Sequence, residues 1–465
     1  MSVRGQCVVR SATLRGVEAV PVDVEVVMAN GIPGFSIVGL ADASVQESRE
    51  RVKAALRSCG FSLPASKVVV NLAPGVLRKT GSGFDLPIAA GILCASGQLD
   101  PRAVRGQLFV GELSLEGAVR PVAGLLAYAL CAQRLGVDLV CAPVDQGFVA
   151  LDGLVRRAAK SLAGFRTGPF PAVADAAKPS SAPALDFRDI AGHDMAKRAL
   201  QIAAAGGHGV LMTGPPGSGK SMAAKRFSTI LPPLSDSERL EVIRVWSAIG
   251  RGQEAVERAE RPFRAPHHNS SANAMAGGSG AAGRLPVPGE ITLAHRGVLF
   301  LDEFPEFRRD VLETLRQPLE DGRVTISRVA GQVTYPARFQ LIAAMNPCKC
   351  GWYGTERCTC TKAAVQQYLH RLSGPLLDRI DLQVAVQPVE YAALAARGQA
   401  SEEHSADIRA RVLAARERQY ARQGADVCNA AIPPPQLAEH CPLSADASRM
   451  FAAAFQRLGL TARAA

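Results

Sequence analysis

Residues 214–221 read Gly214-Pro215-Pro216-Gly217-Ser218-Gly219-Lys220-Ser221. Glycines at this spacing let backbone N–H groups turn inward on phosphate oxygens. Lys220 reaches the β- and γ-phosphates, and the Ser221 hydroxyl ligates Mg²⁺. Further along, Gly297-Val-Leu-Phe-Leu-Asp302-Glu303 ends an apolar run on two carboxylates. Asp302 suits the magnesium shell, and Glu303 suits a general base that polarises the attacking water. Met345-Asn346-Pro347 follows a third apolar run. The Asn346 amide can orient that water, although Asn before Pro is equally a plain turn signal. Pro375-Leu-Leu-Asp378-Arg379-Ile-Asp381 sets a guanidinium between carboxylates. Arg379 is either an internal ion-pair partner or a finger on a neighbouring subunit's γ-phosphate, and the second reading requires an oligomer.

Cys348, Cys350, Cys358 and Cys360 place four thiols within 13 residues. A closed tetrahedral zinc knuckle fits them, in a structural role, with free or redox-active thiols as the alternative. The Cys-x-Cys spacing is tighter than the usual Cys-x₂-Cys. His267 and His268 are adjacent, so their side chains diverge, and they read as loop contacts rather than metal ligands. The run 325–334 reads as a hairpin around a glycine turn. With Arg323 and Arg328 it either projects into a central pore or forms an ordinary edge hairpin.

The elements that must hold these residues alternate between strand and helix. Apolar runs at 210–212, 298–301 and 341–344 read as buried strands, and 222–230 continues the phosphate loop as a helix, which together predict a parallel α/β sheet. Residues 274–289 hold five glycines and read as a flexible loop. Upstream, Val22, Val24 and Val26 alternate with Asp23 and Glu25 as a half-buried strand. A helix over 43–57 is capped by Asp42 and ended by Gly60. Further strands at 68–70, 108–113 and 139–142 and helices at 86–95 and 125–135 complete a compact α+β domain. The expected organisation is 1–165 as this domain, 166–185 as a Pro/Ala/Ser-rich linker, 186–395 as the α/β core and 396–465 as a helical tail.

The chain has 465 residues, 48% hydrophobic and 20% charged, which excludes wholesale disorder and fits about three domains at roughly 150 residues each. No run approaches the ~18 apolar residues of a membrane span. Eleven cysteines without a secretory signal point to the reducing cytoplasm. The net charge of +11 permits a polyanionic partner, and equally suits an ordinary basic protein.

Nearly the whole chain resembles the magnesium-chelatase-like AAA+ ATPases of the ComM/YifB type. The stretches that carry the resemblance include GIPGFSIVGLADASVQESRERVKAAL, VNLAPGVLRKTGSGFDLPIAAGIL, FRAPHH, PGEITLAHRGVLFLDEFPEF, LRQPLEDGRVTISR, YPARFQLIAAMNPCKCG and RLSGPLLDRIDL. It implies Lys220 and Ser221 as Walker A, Asp302-Glu303 as Walker B, Asn346 as sensor 1 and Arg379 as arginine finger. It implies that the segments near 267–290 and 322–335 are insertions facing a ring pore, with Arg323, Arg328, His267 and His268 as DNA contacts. Gly192-His193 stands where the family has Gly-Gln beside the adenine. The amino-terminal domain is similar to the Lon protease domain. Gly83 falls at the nucleophile position and Leu126 at the lysine, with Ser82 one residue off, so no proteolysis is expected. The implied function is an ATP- and Mg²⁺-dependent, hexameric motor on DNA that drives branch migration in recombination and natural transformation. The alternatives are a chelatase-type protein remodeller and a nucleotide-binding but inactive relative. The last is weighed because family members continue the helical lid beyond GLTARA, whereas the sensor-2 candidate Arg463 lies two residues from the last residue given.

Overall fold

A computed structural model of the chain describes residues 3–143, 151–173, 185–258, 260–279, 286–328, 331–388 and 403–458. The amino-terminal part contains β1 (Val3–Arg15), β2 (Glu18–Ala29), β3 (Gly34–Val38), β4 (Lys67–Ala73), β5 (Gln107–Phe109), β6 (Glu112–Leu113), β7 (Val119–Arg120), β8 (Asp138–Cys141) and β9 (Arg156–Ala158). Seven of these strands form one mixed sheet in the order β3-β4-β2-β1-β5-β8-β9. β1 and β2 form a long antiparallel ribbon in which Val9 faces Val24 and Val8 faces Glu25. The alternation of Val22, Val24 and Val26 buries one face of β2, and all three are fully buried.

Helix α1 (Ala43–Ser58) starts as its sequence predicts, with the Asp42 carboxylate accepting from Val45 N at 2.9 Å. Helix α2 (Asp85–Ala95) is buried along its whole length. Its Asp85 carboxylate is satisfied by Arg51 at 2.6 and 3.0 Å and by Leu113 N at 3.0 Å. Helix α3 (Leu125–Leu135) ends at a left-handed Gly136. The apolar run at 108–113 divides between β5 and the separate β6–β7 hairpin. Residues 166–173, read from sequence as the start of a linker, pack on the sheet. Phe170 is buried edge-on to Phe165 at 4.9 Å, and Val173 N donates to Arg156 O.

The second part contains α4 (Asp194–Gly206), β10 (Val210–Thr213), α5 (Lys220–Ile230), α6 (Asp236–Ser247), β11 (Phe263–Arg264), β12 (Gly277–Ser279), β13 (Pro286–Pro288), β14 (Val298–Leu301), β15 (Arg323–Arg328), β16 (Gly331–Pro336), β17 (Gln340–Met345) and β18 (Leu382–Ala385). The order β11-β14-β17-β10-β18 is parallel throughout, so all five carboxyl ends share one edge. The three central strands β10, β14 and β17 are buried on both faces, as in a parallel sheet covered by helices. The helix Ser405–Gln423 lies across α4 and α5, burying Ile408 and Val412 and donating Arg416 to Ala204 O at 2.7 Å.

The segment expected to be a flexible loop instead holds the helix Ala272–Ala276 and the β12–β13 pair, with the residues between those strands outside the described ones. This pair and the β15–β16 hairpin pack together; Tyr335 OH donates to Pro286 O. The two parts of the molecule also touch. Gly124 N donates to Ser247 O at 2.7 Å, Arg244 pairs with Glu18 at 3.3 Å, and a single apolar cluster runs from Val17 and Leu126 to Trp246 and Val333. Among the described residues no helix is long and apolar enough to cross a membrane.

Candidate functional site

The parallel register brings the chemical groups together. Thr213 on β10 is opposite Met345 on β17, so Gly214 and Asn346 leave the sheet side by side. Leu301 on β14 is opposite Ala343, which carries Asp302 and Glu303 out at the same edge. Ligands of open α/β sheets bind at such carboxyl ends.

The phosphate loop closes onto α5, whose first residue is Lys220. Gly214 has no room for a side chain, since a Cβ there would lie 2.1 Å from Val386 O. Lys220 Nζ donates to Gly214 O at 2.7 Å and Pro215 O at 2.8 Å, with Ser218 Oγ at 3.3 Å and Asn346 Oδ1 at 3.4 Å. Burial lowers its pKa, opposed by the Asp302 charge. Ser221 Oγ donates to Asp302 Oδ2 at 2.5 Å, so a hydroxyl and a carboxylate stand together as hard oxygen ligands of the kind Mg²⁺ takes. Gly217 and Gly219 are left-handed, and the N-terminus of α5 adds its positive dipole at the loop. His193 caps α4 with φ 59° and lies 3.5 Å from where a Gly219 Cβ would be. Burial, then Lys197, lowers its pKa, which favours a neutral ring.

Glu303 adopts a left-handed backbone (φ 53°, ψ 45°), anchored by buried Phe304 and Phe307. Its carboxylate lies 2.9 Å from His268 Nδ1, within ion-pair distance when that ring is protonated. The His267 and His268 rings, expected from sequence to diverge, instead lie tilted against each other with centroids 4.1 Å apart, and His267 Nδ1 accepts from Asn269 N. Both histidines therefore sit at the Walker B end of the sheet. Register explains why: Arg264 of β11 pairs with Leu299 of β14, and His268 and Glu303 each lie four residues beyond. Reading the motifs one at a time did not reveal this pair; the FRAPHH run beside a strand neighbour was its only signal.

Three family models match the chain. Residues 186–394 match "Magnesium chelatase, subunit ChlI", residues 24–146 "Subunit ChlI of Mg-chelatase" and residues 402–465 "Magnesium chelatase, subunit ChlI C-terminal". Competence protein ComM of Haemophilus influenzae is 42% identical over 469 residues, covering 98% of this chain and 91% of that one. YifB of Escherichia coli is 41% identical over 465 residues, covering 98% and 90%. This chain belongs to the magnesium chelatase ChlI family, alongside the ComM and YifB proteins. The magnesium-chelatase 38 kDa subunit of Rhodobacter capsulatus is similar over a shorter stretch, 26% identical over 180 residues.

The expected finger of this ChlI-family chain precedes a core strand. Arg379 lies before β18, at the amino edge of the sheet and so across it from Lys220. It donates to Glu320 at 2.5 Å and to Pro375 O at 2.6 Å, while its Nε is buried with no partner among the described residues. Of the two neighbouring aspartates, Asp381 pairs instead with His208 at 2.8 Å. Arg379 lines a cavity of about 520 Å³ with Arg261, Arg296, Arg338 and Arg416. Arg323 and Arg328 are exposed on β15, and Arg328 donates to Asn273 Oδ1 at 2.9 Å. Arg463 lies outside the described residues.

In the amino-terminal domain Leu126 is buried in the core, and Ser82 Oγ donates to Glu112. Cys348, Cys350, Cys358 and Cys360 converge, with all four sulfurs within 4.8 Å of one another. Backbone N–H groups of Trp352 and Thr359 draw the Cys350 pKa down to about 6.

Proposed function

We propose that this chain is an ATP hydrolase that acts as a ring-shaped motor on DNA in the cytoplasm, driving branch migration during recombination of incoming DNA. The observation that carries the hydrolase reading is the meeting of Lys220, Ser221–Asp302, Glu303 and Asn346 at one sheet edge. In that reading the loop N–H groups and Lys220 hold the phosphates. Ser221 and Asp302 would hold Mg²⁺, which when bound would neutralise charge on the phosphate oxygens. Asn346 and Glu303 orient the lytic water, and Glu303 takes its proton. His268 holds the Glu303 carboxylate at one place on the rim.

Arg379 cannot serve its own subunit's phosphates from the far edge of the sheet. A ring in which it reaches a neighbour supplies its role, at a typical worth of about 10³–10⁵ in rate. The DNA reading rests on the +11 charge, on exposed Arg323 and Arg328 beside the packed hairpin pair, and on the relative named competence protein. A second reading, remodelling of a protein partner, is favoured by the similarity to a magnesium-chelatase subunit.

ATP turnover with and without single-stranded or four-way-junction DNA separates the two. Stimulation by DNA that is lost in Lys220→Ala is expected. Turnover indifferent to DNA would transfer the weight to protein remodelling, and nucleotide binding without turnover would remove the motor reading altogether.

A further inference from the structure

The residues after Asn346 form an irregular loop with little to hold it. Between Met345 and Lys362 there is no helix or strand, and only Cys348 and Gly351 are buried. No apolar core organises this segment, yet its four thiols converge. Cys348 and Cys350 Sγ are 3.3 Å apart, Cys348 and Cys358 3.9 Å, and Cys350 and Cys358 3.7 Å. A tetrahedron with Zn–S of ~2.3 Å has edges of about 3.8 Å, so these separations are those of a shell around one ion.

The donor set is all sulfur, which selects zinc rather than magnesium. A tetrathiolate shell carries two net negative charges. Its surroundings answer them with N–H groups from Trp352 and Thr359 on Cys350, from Cys360 on Cys358 and from Cys350 on Cys360. Lys349, Lys362 and Arg357 lie on the same segment, Arg357 stacking over Trp352 at 5.0 Å.

The loop also touches the nucleotide machinery. Gly351 has φ +87°, and a Cβ there would fall 2.5 Å from Pro216 Cδ and 2.7 Å from its Cγ. The glycine backbone is thus seated flush on the second proline of the phosphate loop, three residues beyond Cys348 and five beyond Asn346.

We propose that Cys348, Cys350, Cys358 and Cys360 bind one structural zinc ion, and that the ion holds Gly351 against Pro216 so that the phosphate loop keeps its nucleotide-binding shape. The second half of this inference rests on the phosphate-loop reading. The metal half does not.

The test measures zinc content by atomic emission on the reduced, full-length chain, the d–d spectrum after cobalt exchange, and the affinity of a fluorescent ADP. One zinc per chain and a tetrahedral thiolate cobalt spectrum are expected, both lost in Cys350→Ser/Cys358→Ser. Chelator-stripped wild type should bind the nucleotide at least tenfold more weakly and recover on adding zinc, a reversal that misfolding would not show. Gly351→Val should keep its zinc and lose affinity to a similar extent. Wild type without zinc or a cobalt spectrum would overturn the site. Unchanged affinity in both the stripped chain and Gly351→Val would overturn the brace. Wild-type affinity in Lys220→Ala would instead remove the phosphate-loop reading and leave the zinc result standing.

Discussion

On the proposed hydrolase reading, the pair Glu303–His268 separates binding from hydrolysis at the scale of single residues. Glu303→Gln removes the proposed base and leaves Lys220 and Ser221 in place, so nucleotide affinity is expected to stay within about twofold while turnover falls at least 10²-fold. Lys220→Ala should lose both, and equilibrium binding beside steady-state turnover distinguishes the two variants. A different residue is expected to contribute to the acid limit of stability. The Glu241 carboxylate is held down to about 2 by its hydrogen bond to His295, and then by Arg296 at 2.6 Å. A carboxylate with a depressed folded-state pKa contributes stability that is complete above its unfolded value. That stability is lost as pH falls through about 4.5 toward 2. His295, whose pKa burial lowers, works in the same direction, because its ring must stay neutral while the unfolded chain takes up a proton below the ordinary histidine value. Glu241→Gln should therefore flatten the acid limb of a urea-midpoint-against-pH curve. An unchanged limb would show that Glu241 carries none of it.

At the scale of elements, α5 connects stability to binding. Phe227 is fully buried between α5 and the sheet, and Phe227→Ala should cost about 3–5 kcal/mol in urea unfolding. Since α5 begins at Lys220, nucleotide should restore part of that loss; a shift equal to the wild-type shift or larger is the expected reading. The elements holding the site were largely legible in sequence. Strand, glycine loop and helix over 210–230, and the apolar runs before Asp302 and Asn346, follow from periodicity and breakers. The rest was not legible, for identifiable reasons. β11 is two residues long, too short for any period, and with it went the His268–Glu303 pair. β12 and β13 are built of glycine and proline, whose pairing depends on the neighbouring β15–β16 hairpin rather than on their own composition. Residues 166–173 look like a linker because one buried aromatic, Phe170, does the anchoring. The partner of Arg379 is Glu320, 59 residues away in sequence, which no local spacing announces.

At the scale of the whole molecule, one apolar cluster joins the two parts. Calorimetry should accordingly show a single cooperative transition; two well-separated peaks would mean that the shared cluster does not couple them. Arg379→Ala should leave nucleotide affinity intact and reduce turnover by about 10³-fold or more. Mixing it with wild-type chains should depress activity more than in proportion, because each finger would serve a neighbour. Strictly proportional loss would count against a ring.

The β1–β2 ribbon has a mechanical consequence. At about 3.3 Å per residue its 13-residue first strand is about 40 Å long. Its turn rests on the β15–β16 hairpin: a Cβ on Gly16 would be 2.6 Å from Val333 Cγ1. Its far end is woven into the seven-stranded sheet. A stiff beam loaded at its tip and clamped at its root behaves as a lever. If the proposed motor moves the hairpin along a polymer, the amino-terminal sheet would tilt with it and serve as a dial, and a pair of dyes on the sheet and the core would record that movement at a distance.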